Sequence, residues 1–223
     1  MKPDKTPEKI NKMFNEIAGK YDCINDAMSF GMHYKIKSEC IKLLGINFGD
    51  NVLDLCCGTG DLAILINKYQ PKCHITGVDF SEKMLEIARQ KSDKIHFMQA
   101  DSTNLPFEDN TFDIITIGFG LRNIQNAEKA IEEIYRILKP NVRFLHLDFG
   151  KRNIFSKIYD LLIPIMTRFL TNNNLAYEYL IESKKIFPTP KELVKDFESK
   201  GFKLLKMKSF AFGVISAQIM QKY

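Results

Sequence analysis

The sequence predicts an α/β fold in which one mixed, doubly wound sheet carries helices on both faces. Short apolar segments of strand length alternate with amphipathic segments of helix length through the first two thirds of the chain. This alternation is typical of parallel strands joined by right-handed helical crossovers. Two further strand-like segments then follow each other near the C-terminus with few residues between them. We expect that pair to be antiparallel and to close one edge of the sheet.

The predicted strands are rich in β-branched and aromatic residues and are bounded by turn residues. There are seven of them, at residues 51–57, 74–79, 95–98, 112–117, 141–149, 202–207 and 212–220. The predicted helices show apolar residues at intervals of three and four. They cover residues 13–44 with a break near 28–31, then 61–69, 81–91, 126–138, 153–187 and 190–200. Residues 1–12 are polar, and we expect them to be loose.

Composition excludes several classes of protein. The 223 residues are 45% hydrophobic and 26% charged, which is ordinary for one globular domain and unlike a disordered chain. A net charge of +5 without a dense Lys/Arg cluster predicts no nucleic-acid partner. The five cysteines lack CxxC spacing, so we expect no disulfide framework and no metal site. The polar N-terminus predicts no secretory signal, and we therefore expect a cytoplasmic protein.

A glycine loop after the first strand is the most informative local feature. Gly58, Thr59 and Gly60 connect a buried strand to the start of a helix. Two glycines allow the backbone to turn sharply and to approach a ligand closely. Asp79 ends the next strand, where a carboxylate can accept both hydroxyls of a ribose. With Ala63, the loop also satisfies the loose dinucleotide pattern, so a nicotinamide oxidoreductase remains an alternative.

Two acidic residues favour a ligand that carries adenosine but no phosphate. Asp54 lies inside the first strand, where a buried carboxylate is costly unless it holds a cationic amino group or orients the loop. Asp61 follows the second glycine, where its charge would repel a pyrophosphate. S-adenosylmethionine fits this description because it combines adenosine with an amino acid and a sulfonium.

Four segments resemble a known family. The stretch VLDLCCGTGDLA, at 52–63, resembles the glycine motif of class I S-adenosylmethionine-dependent methyltransferases. Together with MFNEIAGKYDCINDAMSFG (13–31), LPFEDNTFDIITIGFGLRN (105–123) and the tract around 187–193 and 201–202, it resembles the ubiquinone/menaquinone biosynthesis C-methyltransferases. The segment GVISAQ (213–218) is similar to menaquinone-type or plastid-type members.

This resemblance implies a reaction. The expected activity is C-methylation of demethylmenaquinol to menaquinol, or the equivalent ring methylation in ubiquinone biosynthesis, with S-adenosylhomocysteine as the second product. Three alternatives stay open: another small-molecule or lipid methyltransferase, a nicotinamide oxidoreductase, and a non-catalytic scaffold for quinone enzymes.

The resemblance implies Thr59, Asp79, Asp101 and Ser102 as site residues, and the positions of the other candidates in the predicted fold indicate the rest. Those expected to bind the cofactor are Tyr21, Asp54, Gly58, Thr59, Gly60, Asp79, Asp101, Ser102 and Gly118. Asp101 and Ser102 would contact the adenine, and Tyr21 would belong to a lid. Arg122 is expected to stabilise the phenolate of the acceptor or to order a water that takes its proton, Asn123 to orient Arg122, and His33 to act as a base.

The expected organisation is a single domain, residues 1–223, of class I methyltransferase type. Its parts are a helical lid at 1–45, a cofactor-binding core at 51–149, a helical insertion facing substrate or membrane at 153–187, and a closing helix with edge strands at 190–223. The apolar stretch 154–170 fits a prenyl tunnel, a surface helix on the inner face of a membrane, or a helix that covers the sheet. A prenylated quinol is the expected partner, and a homodimer stays open.

Overall fold

In the computed structural model, which describes residues 3–168 and 175–223, seven strands form one sheet. They are β1 (Asn51–Leu55), β2 (His74–Asp79), β3 (His96–Gln99), β4 (Phe112–Gly118), β5 (Leu138–Phe149), β6 (Phe202–Phe210) and β7 (Ile215–Lys222). Their order is β3-β2-β1-β4-β5-β7-β6. Strands β1 to β5 are parallel, whereas β7 runs antiparallel to both of its neighbours. The predicted mixed, doubly wound sheet is confirmed.

The helices of the described residues connect these strands and cover both faces of the sheet. They are α1 (Pro7–Ile17), α2 (Tyr21–Ser29), α3 (Met32–Lys42), α4 (Asp61–Tyr69), α5 (Glu82–Lys91), α6 (Ala127–Ile137), α7 (Ile154–Arg168), α8 (Leu175–Ile186) and α9 (Pro190–Ser199). None of these helices is long and apolar enough to cross a membrane.

The core lies in two layers, one on each face of the sheet. Successive residues of a strand point to opposite faces. Val52 therefore packs in the layer with α3 and α4, whereas Leu53 packs in the layer with α6 and α9. Because both faces of the central strands are covered, β1 is almost wholly buried, as parallel strands usually are. The carboxyl ends of β1, β2 and β4 then meet at one edge, where the chain leaves the sheet in loops.

The N-terminus differs from the expectation of a loose segment. Helix α1 begins at Pro7, the first helical position, where the fixed φ of proline favours a helix. The apolar residues Ile10, Phe14 and Ile17 recur at intervals of four and three and line cavities at the carboxyl edge of the sheet. That periodicity was a usable signal for a helix in this segment.

The largest differences from the predicted strand bounds are at β5, β6 and β7. Strand β5 begins at Leu138 and contains Pro140, whereas the sequence prediction ended the preceding helix at 138 and began the strand at 141. The pairing with β4 is irregular at this point, so the missing N–H of the proline is tolerated. At the C-terminus, a short turn, Ala211–Gly213, ends β6 and delays β7 to Ile215. The predicted insertion forms α7 and α8, and residues 169–174, which include the end of the predicted 154–170 stretch, lie outside the described residues.

Candidate active site

Two adjoining cavities open at the carboxyl edge of the sheet beneath the N-terminal helices. The larger has a volume of about 320 Å³ and the smaller about 150 Å³. Residues from α1, α2, the glycine loop and the end of β4 line both of them. These shared residues are Phe14, Tyr21, Cys56, Gly58, Gly118, Phe119 and Asn123. The site therefore has two compartments that meet at the ends of β1 and β4.

Asp79 orders the glycine loop from the end of β2. Its Oδ2 accepts the N–H of Gly58 at 2.8 Å, and its Oδ1 accepts the N–H of Ser81 at 2.9 Å. Burial raises the pKa of Asp79, and the two N–H donors oppose that effect. A carboxylate has about four acceptor positions, so hydrogen-bonding capacity remains for a ligand in the larger cavity, which Asp79 lines.

The two glycines of the loop have different roles. Gly58 has a φ of +56° and lines both cavities. Gly60 has a φ of +83° and lines neither cavity, although the sequence pointed to ligand contact. A Cβ at Gly60 would lie 2.9 Å from the ring of Phe97. Close packing of the loop on that ring therefore accounts for Gly60.

Asp54 holds the start of α4 against β4. Its Oδ2 accepts the N–H of Ala63 at 3.1 Å, and its Oδ1 accepts the hydroxyl of Thr116 at 2.8 Å. Of the two roles considered for this residue, these contacts support orientation of the loop. Burial raises the pKa of Asp54 to about 7, since the folded protein disfavours its charged form.

Replacing Asp54 by asparagine tests this burial. Between its usual pKa near 3.8 and the raised value near 7, the folded protein retains a proton that the unfolded chain has lost. Ionisation of Asp54 therefore lowers the free energy of unfolding as pH rises through this window. Between about pH 5 and about pH 8, the unsubstituted protein is expected to lose about 3 kcal/mol of unfolding free energy through this ionisation, and Asp54→Asn is expected not to lose it. Urea denaturation at the two pH values measures the difference. Asp93→Asn, at an exposed position, is the control. Parallel pH profiles for Asp54→Asn and the unsubstituted protein would contradict the assignment.

Asp61 is compensated by two lysines that the sequence argument did not foresee. Lys37 lies 3.1 Å and Lys91 lies 3.2 Å from its carboxylate. Burial by itself raises the pKa of Asp61, but the two ammonium groups outweigh burial and lower it. The inference that Asp61 repels a phosphate therefore loses its basis, because its partners come from α3 and α5.

The N-terminal helices are tied to the core by polar contacts. The hydroxyl of Thr59 donates to Asp22 at 2.6 Å, and the hydroxyl of Ser81 donates to Asn15 at 2.6 Å. Thr59 is buried by this contact and lines the smaller cavity. Tyr21, the first residue of α2, lines both cavities. Helices α1 and α2 thus line both compartments, and α3 lines the smaller one.

Asp101 and Ser102 line the larger cavity from the loop after β3. Asp101 is exposed, and its Oδ1 accepts both the N–H and the hydroxyl of Thr103 at 2.8 Å. Its second oxygen remains available to a donor in the cavity. Gly118 ends β4 and lines both cavities, as a position of close approach requires.

Arg122 forms a buried ion pair beside the smaller cavity. Its Nη1 donates to the carbonyl of Phe119 at 2.6 Å and to Asp148 Oδ1 at 2.9 Å. The guanidinium also lies 5.0 Å from the centre of the Phe149 ring. Its Nε and Asp148 Oδ2 have no hydrogen-bond partner within the described structure. Arg122 is therefore fixed on one side and retains an unused donor.

Asn123 and His33 occupy the same compartment. Asn123 donates to the carbonyl of Phe119 at 3.3 Å, so it shares an acceptor with Arg122 and is linked to it through that carbonyl. His33 Nε2 lies 2.8 Å from Asp26 Oδ1, and burial lowers the pKa of His33 against the opposing effect of Asp26. Its buried Nδ1 has no hydrogen-bond partner among the described residues.

Sequence reasoning did not identify the aromatic walls of the smaller cavity. Tyr159 and Tyr179 come from α7 and α8, far along the chain from the glycine loop. Burial raises the pKa of Tyr179 to about 12, so its hydroxyl stays protonated and donates to Asn123 Oδ1 at 3.2 Å. Lys184 pairs with Asp160 and lies 4.3 Å from the centre of the Phe149 ring. Helical periodicity placed these residues on helices, but no local pattern indicates which helix faces the site.

A comparison with known proteins adds to this geometry. The model of the ubiE/COQ5 methyltransferase family matches residues 2–222. A demethylmenaquinone methyltransferase of Listeria welshimeri is 35% identical over 218 residues, 92% of each chain. One from Staphylococcus aureus strain JH9 is 36% identical over 225 residues, which cover 96% of this chain and 93% of that protein.

Solved structures share the fold at low sequence identity. A SAM-dependent methyltransferase of Aquifex aeolicus has a TM-score of 0.64 at 18% identity and covers 84% of this chain and 89% of its own. A TehB-like SAM-dependent methyltransferase of Corynebacterium glutamicum has a TM-score of 0.60 at 14% identity, with 84% and 87% covered. At this identity the likeness concerns the fold alone.

Proposed function

Since the chain belongs to the ubiE/COQ5 methyltransferase family, we propose that it methylates a ring carbon of demethylmenaquinol and produces menaquinol and S-adenosylhomocysteine. The sequence-based identification of an S-adenosylmethionine-dependent methyltransferase is confirmed by that membership. The naphthoquinol substrate comes from the names of the relatives and from the menaquinone-type segment 213–218.

The larger cavity suits the adenosine portion of the methyl donor. Asp79 is assigned to the ribose hydroxyls, and Asp101 with the N–H of Ser102 to the edge of the adenine. Gly58 and Gly118, at the junction of the cavities, leave room for the methionine portion, and Asp54 and Thr59 support the loop beneath it. S-adenosylmethionine supplies an already activated methyl group, so the protein needs no acid or base on this side.

The smaller cavity suits the quinol ring. Its walls include the aromatic side chains of Phe119, Tyr159 and Tyr179, which favour a flat ring over a flexible acceptor. Two cationic side chains of the described residues, Lys37 and Arg122, line this cavity. Lys37 is paired with Asp61, whereas Arg122 retains an unused donor and is assigned to the phenolate oxygen. Loss of the phenolic proton increases electron density on the adjacent ring carbon, so a cation that favours the phenolate favours methylation. His33, with a lowered pKa, is assigned to accept that proton directly or through a water.

One observation carries the proposal: the two compartments meet along Gly118, Phe119 and Asn123, next to the buried Arg122–Asp148 pair. A methyl donor in one compartment and an acceptor ring in the other would meet at that junction with little water between them.

The test is turnover with chemically reduced demethylmenaquinol that carries one prenyl unit, in the presence of S-adenosylmethionine. We expect a quinol product that is heavier by one methylene group, detected by mass spectrometry, together with S-adenosylhomocysteine. The equally short demethylated benzoquinol is run in parallel. Faster methylation of the benzoquinol would contradict the naphthoquinol assignment. Binding of S-adenosylhomocysteine without methylation of either quinol would favour the scaffold alternative.

A further inference from the structure

An exposed apolar surface lies at the start of α7 and on the turn before β7. We call it the α7 patch, and it comprises Ile154, Phe155, Ile158, Leu161, Leu162 and Phe212. Leu161 is 70% exposed and Phe212 is 79% exposed. These fractions are far higher than is usual for apolar residues at the edge of a hydrophobic core. The rings of Phe155 and Phe212 stack, with their centres 4.7 Å apart, so the two elements form one continuous surface. Contiguous apolar patches of this kind mark interaction sites.

The turn that carries Phe212 has a strained backbone and is held by hydrogen bonds from the segment before α7. Ala211 and Phe212 have φ values of 47° and 55°, in the left-handed region that residues with a Cβ rarely adopt. Asn153 Nδ2 donates to the carbonyl of Phe212 at 2.8 Å, and the N–H of Lys151 donates to the carbonyl of Gly213 at 2.9 Å. A strained conformation that persists because its surroundings hold it indicates a function for the side chain that it presents.

The charge around the patch is positive. Lys151, Arg152 and Lys157 are exposed beside the apolar residues. The one acidic residue between 150 and 162 is Asp160, and its carboxylate is paired with Lys184. Basic residues that flank an exposed apolar helix face favour an anionic lipid surface over a neutral one.

The same helix reaches the smaller cavity with its other side. Tyr159, between the exposed Ile158 and the paired Asp160, lines that cavity and packs against Ile24 and Met28 of α2. The α7 patch and the smaller cavity therefore lie on opposite sides of α7.

We propose that the α7 patch docks on a bilayer that contains anionic lipids, with the Phe155–Phe212 pair inserted and the three basic residues at the headgroups. In this position α7 borders both the bilayer and the cavity, so a long prenyl tail can stay in lipid while its ring enters the smaller cavity. Docking follows from the patch itself. The route for the tail rests on the proposed function.

The test is co-sedimentation of the full chain with phosphatidylcholine vesicles that contain or lack phosphatidylglycerol. We expect binding to the anionic vesicles only. The double variant Phe155→Ser with Phe212→Ser is expected to bind the anionic vesicles about tenfold or more weakly, since neither position then has an aromatic ring to insert into the bilayer. Phe48→Ser is the matched control, because Phe48 is 72% exposed but precedes β1 at the opposite edge of the sheet. The triple variant Lys151→Gln, Arg152→Gln and Lys157→Gln should remove the preference for anionic vesicles, whereas Lys42→Gln with Lys68→Gln and Lys72→Gln should keep it.

Several outcomes would overturn the docking proposal: no vesicle binding by the unsubstituted protein, equal loss in the Phe48→Ser control, or unchanged binding by the double variant. A change of the double variant from dimer to monomer in gel filtration, with vesicle binding unaltered, would make the patch a subunit interface and would also overturn it. Turnover of the single-prenyl quinol in vesicle-free buffer separates the two proposals. Retained turnover by the double variant shows that this variant is folded. If the unsubstituted protein binds vesicles but neither it nor any variant methylates the quinol, the proposed function is contradicted and the docking proposal is not.

Discussion

Replacement of Arg122 by glutamine is expected to lower turnover by about 100-fold to 1,000-fold, the usual effect of removing one donor to a developing oxyanion. The affinity for S-adenosylhomocysteine is expected to stay nearly unchanged, because Arg122 lines the smaller cavity and not the larger. Single-turnover kinetics with the single-prenyl quinol and calorimetric titration with S-adenosylhomocysteine measure the two effects separately.

Arg122 also supports the fold, so this variant needs a control for stability. Its guanidinium neutralises Asp148, which is fully buried and lies 2.9 Å away. Loss of one partner from a buried ion pair costs about 3–5 kcal/mol, because the other charge stays buried without compensation. The double variant Arg122→Gln with Asp148→Asn removes both charges and should recover most of the unfolding free energy.

The double variant distinguishes the two roles of Arg122. If the guanidinium acts on the substrate oxygen, the double variant is stable and remains slow. If Arg122 only holds the loop after β4 in place, turnover returns together with stability, and the assignment to the phenolate is wrong. Arg122→Lys adds a third comparison, since lysine keeps the charge but not the planar, forked donor geometry.

The second large effect is expected at Asp79. Replacement by alanine should weaken binding of S-adenosylhomocysteine by about 1–3 kcal/mol, the range for charge-assisted hydrogen bonds to a ligand. Two causes add here: the ribose hydroxyls lose their acceptor, and the N–H groups of Gly58 and Ser81 lose theirs. Calorimetric titration measures the loss directly. Asp79→Asn keeps one acceptor oxygen and should lie between alanine and the unsubstituted protein.

Asp113→Ala is the matched control for this prediction. Asp113 also lies on a strand and accepts a backbone N–H, that of Asn51, at 3.0 Å. It lies near the start of β4, at the opposite end of the strand from the cavities. We expect Asp113→Ala to alter stability and to leave the affinity for S-adenosylhomocysteine unchanged. Equal loss of affinity in both variants, or unchanged affinity in Asp79→Ala, would contradict the ribose assignment.

Local sequence patterns were sufficient for features whose physical cause is local. Strand β2 was predicted with the bounds that the structure has, because a β-branched run between turn residues is a property of neighbouring residues. The glycine loop was recognised because its left-handed positions demand glycine within three residues. The first part of helix α1, residues 7–12, was expected to be loose, although its signals, a proline at the first position and apolar residues at helical intervals, were also local.

Other features depended on residues far apart in the chain. The charge of Asp61 is neutralised by Lys37 and Lys91, which come from α3 and from α5. Gly60 is required by the ring of Phe97 on β3. In both cases the sequence identified a residue that matters, and the partner that decides its role was visible only after folding.

The sequence by itself determined the alternation of strands and helices, the position of the nucleotide-type loop and the family, because these depend on periodicity and on contiguous motifs. Only the tertiary structure decided that Arg122 is a buried ion-pair partner, that Asp54 orients a helix, and that α7 exposes an apolar face beside the cavity. The reason is physical: burial, pKa and the choice between core and surface depend on which distant side chains exclude water, and the sheet brings those side chains together only when it forms.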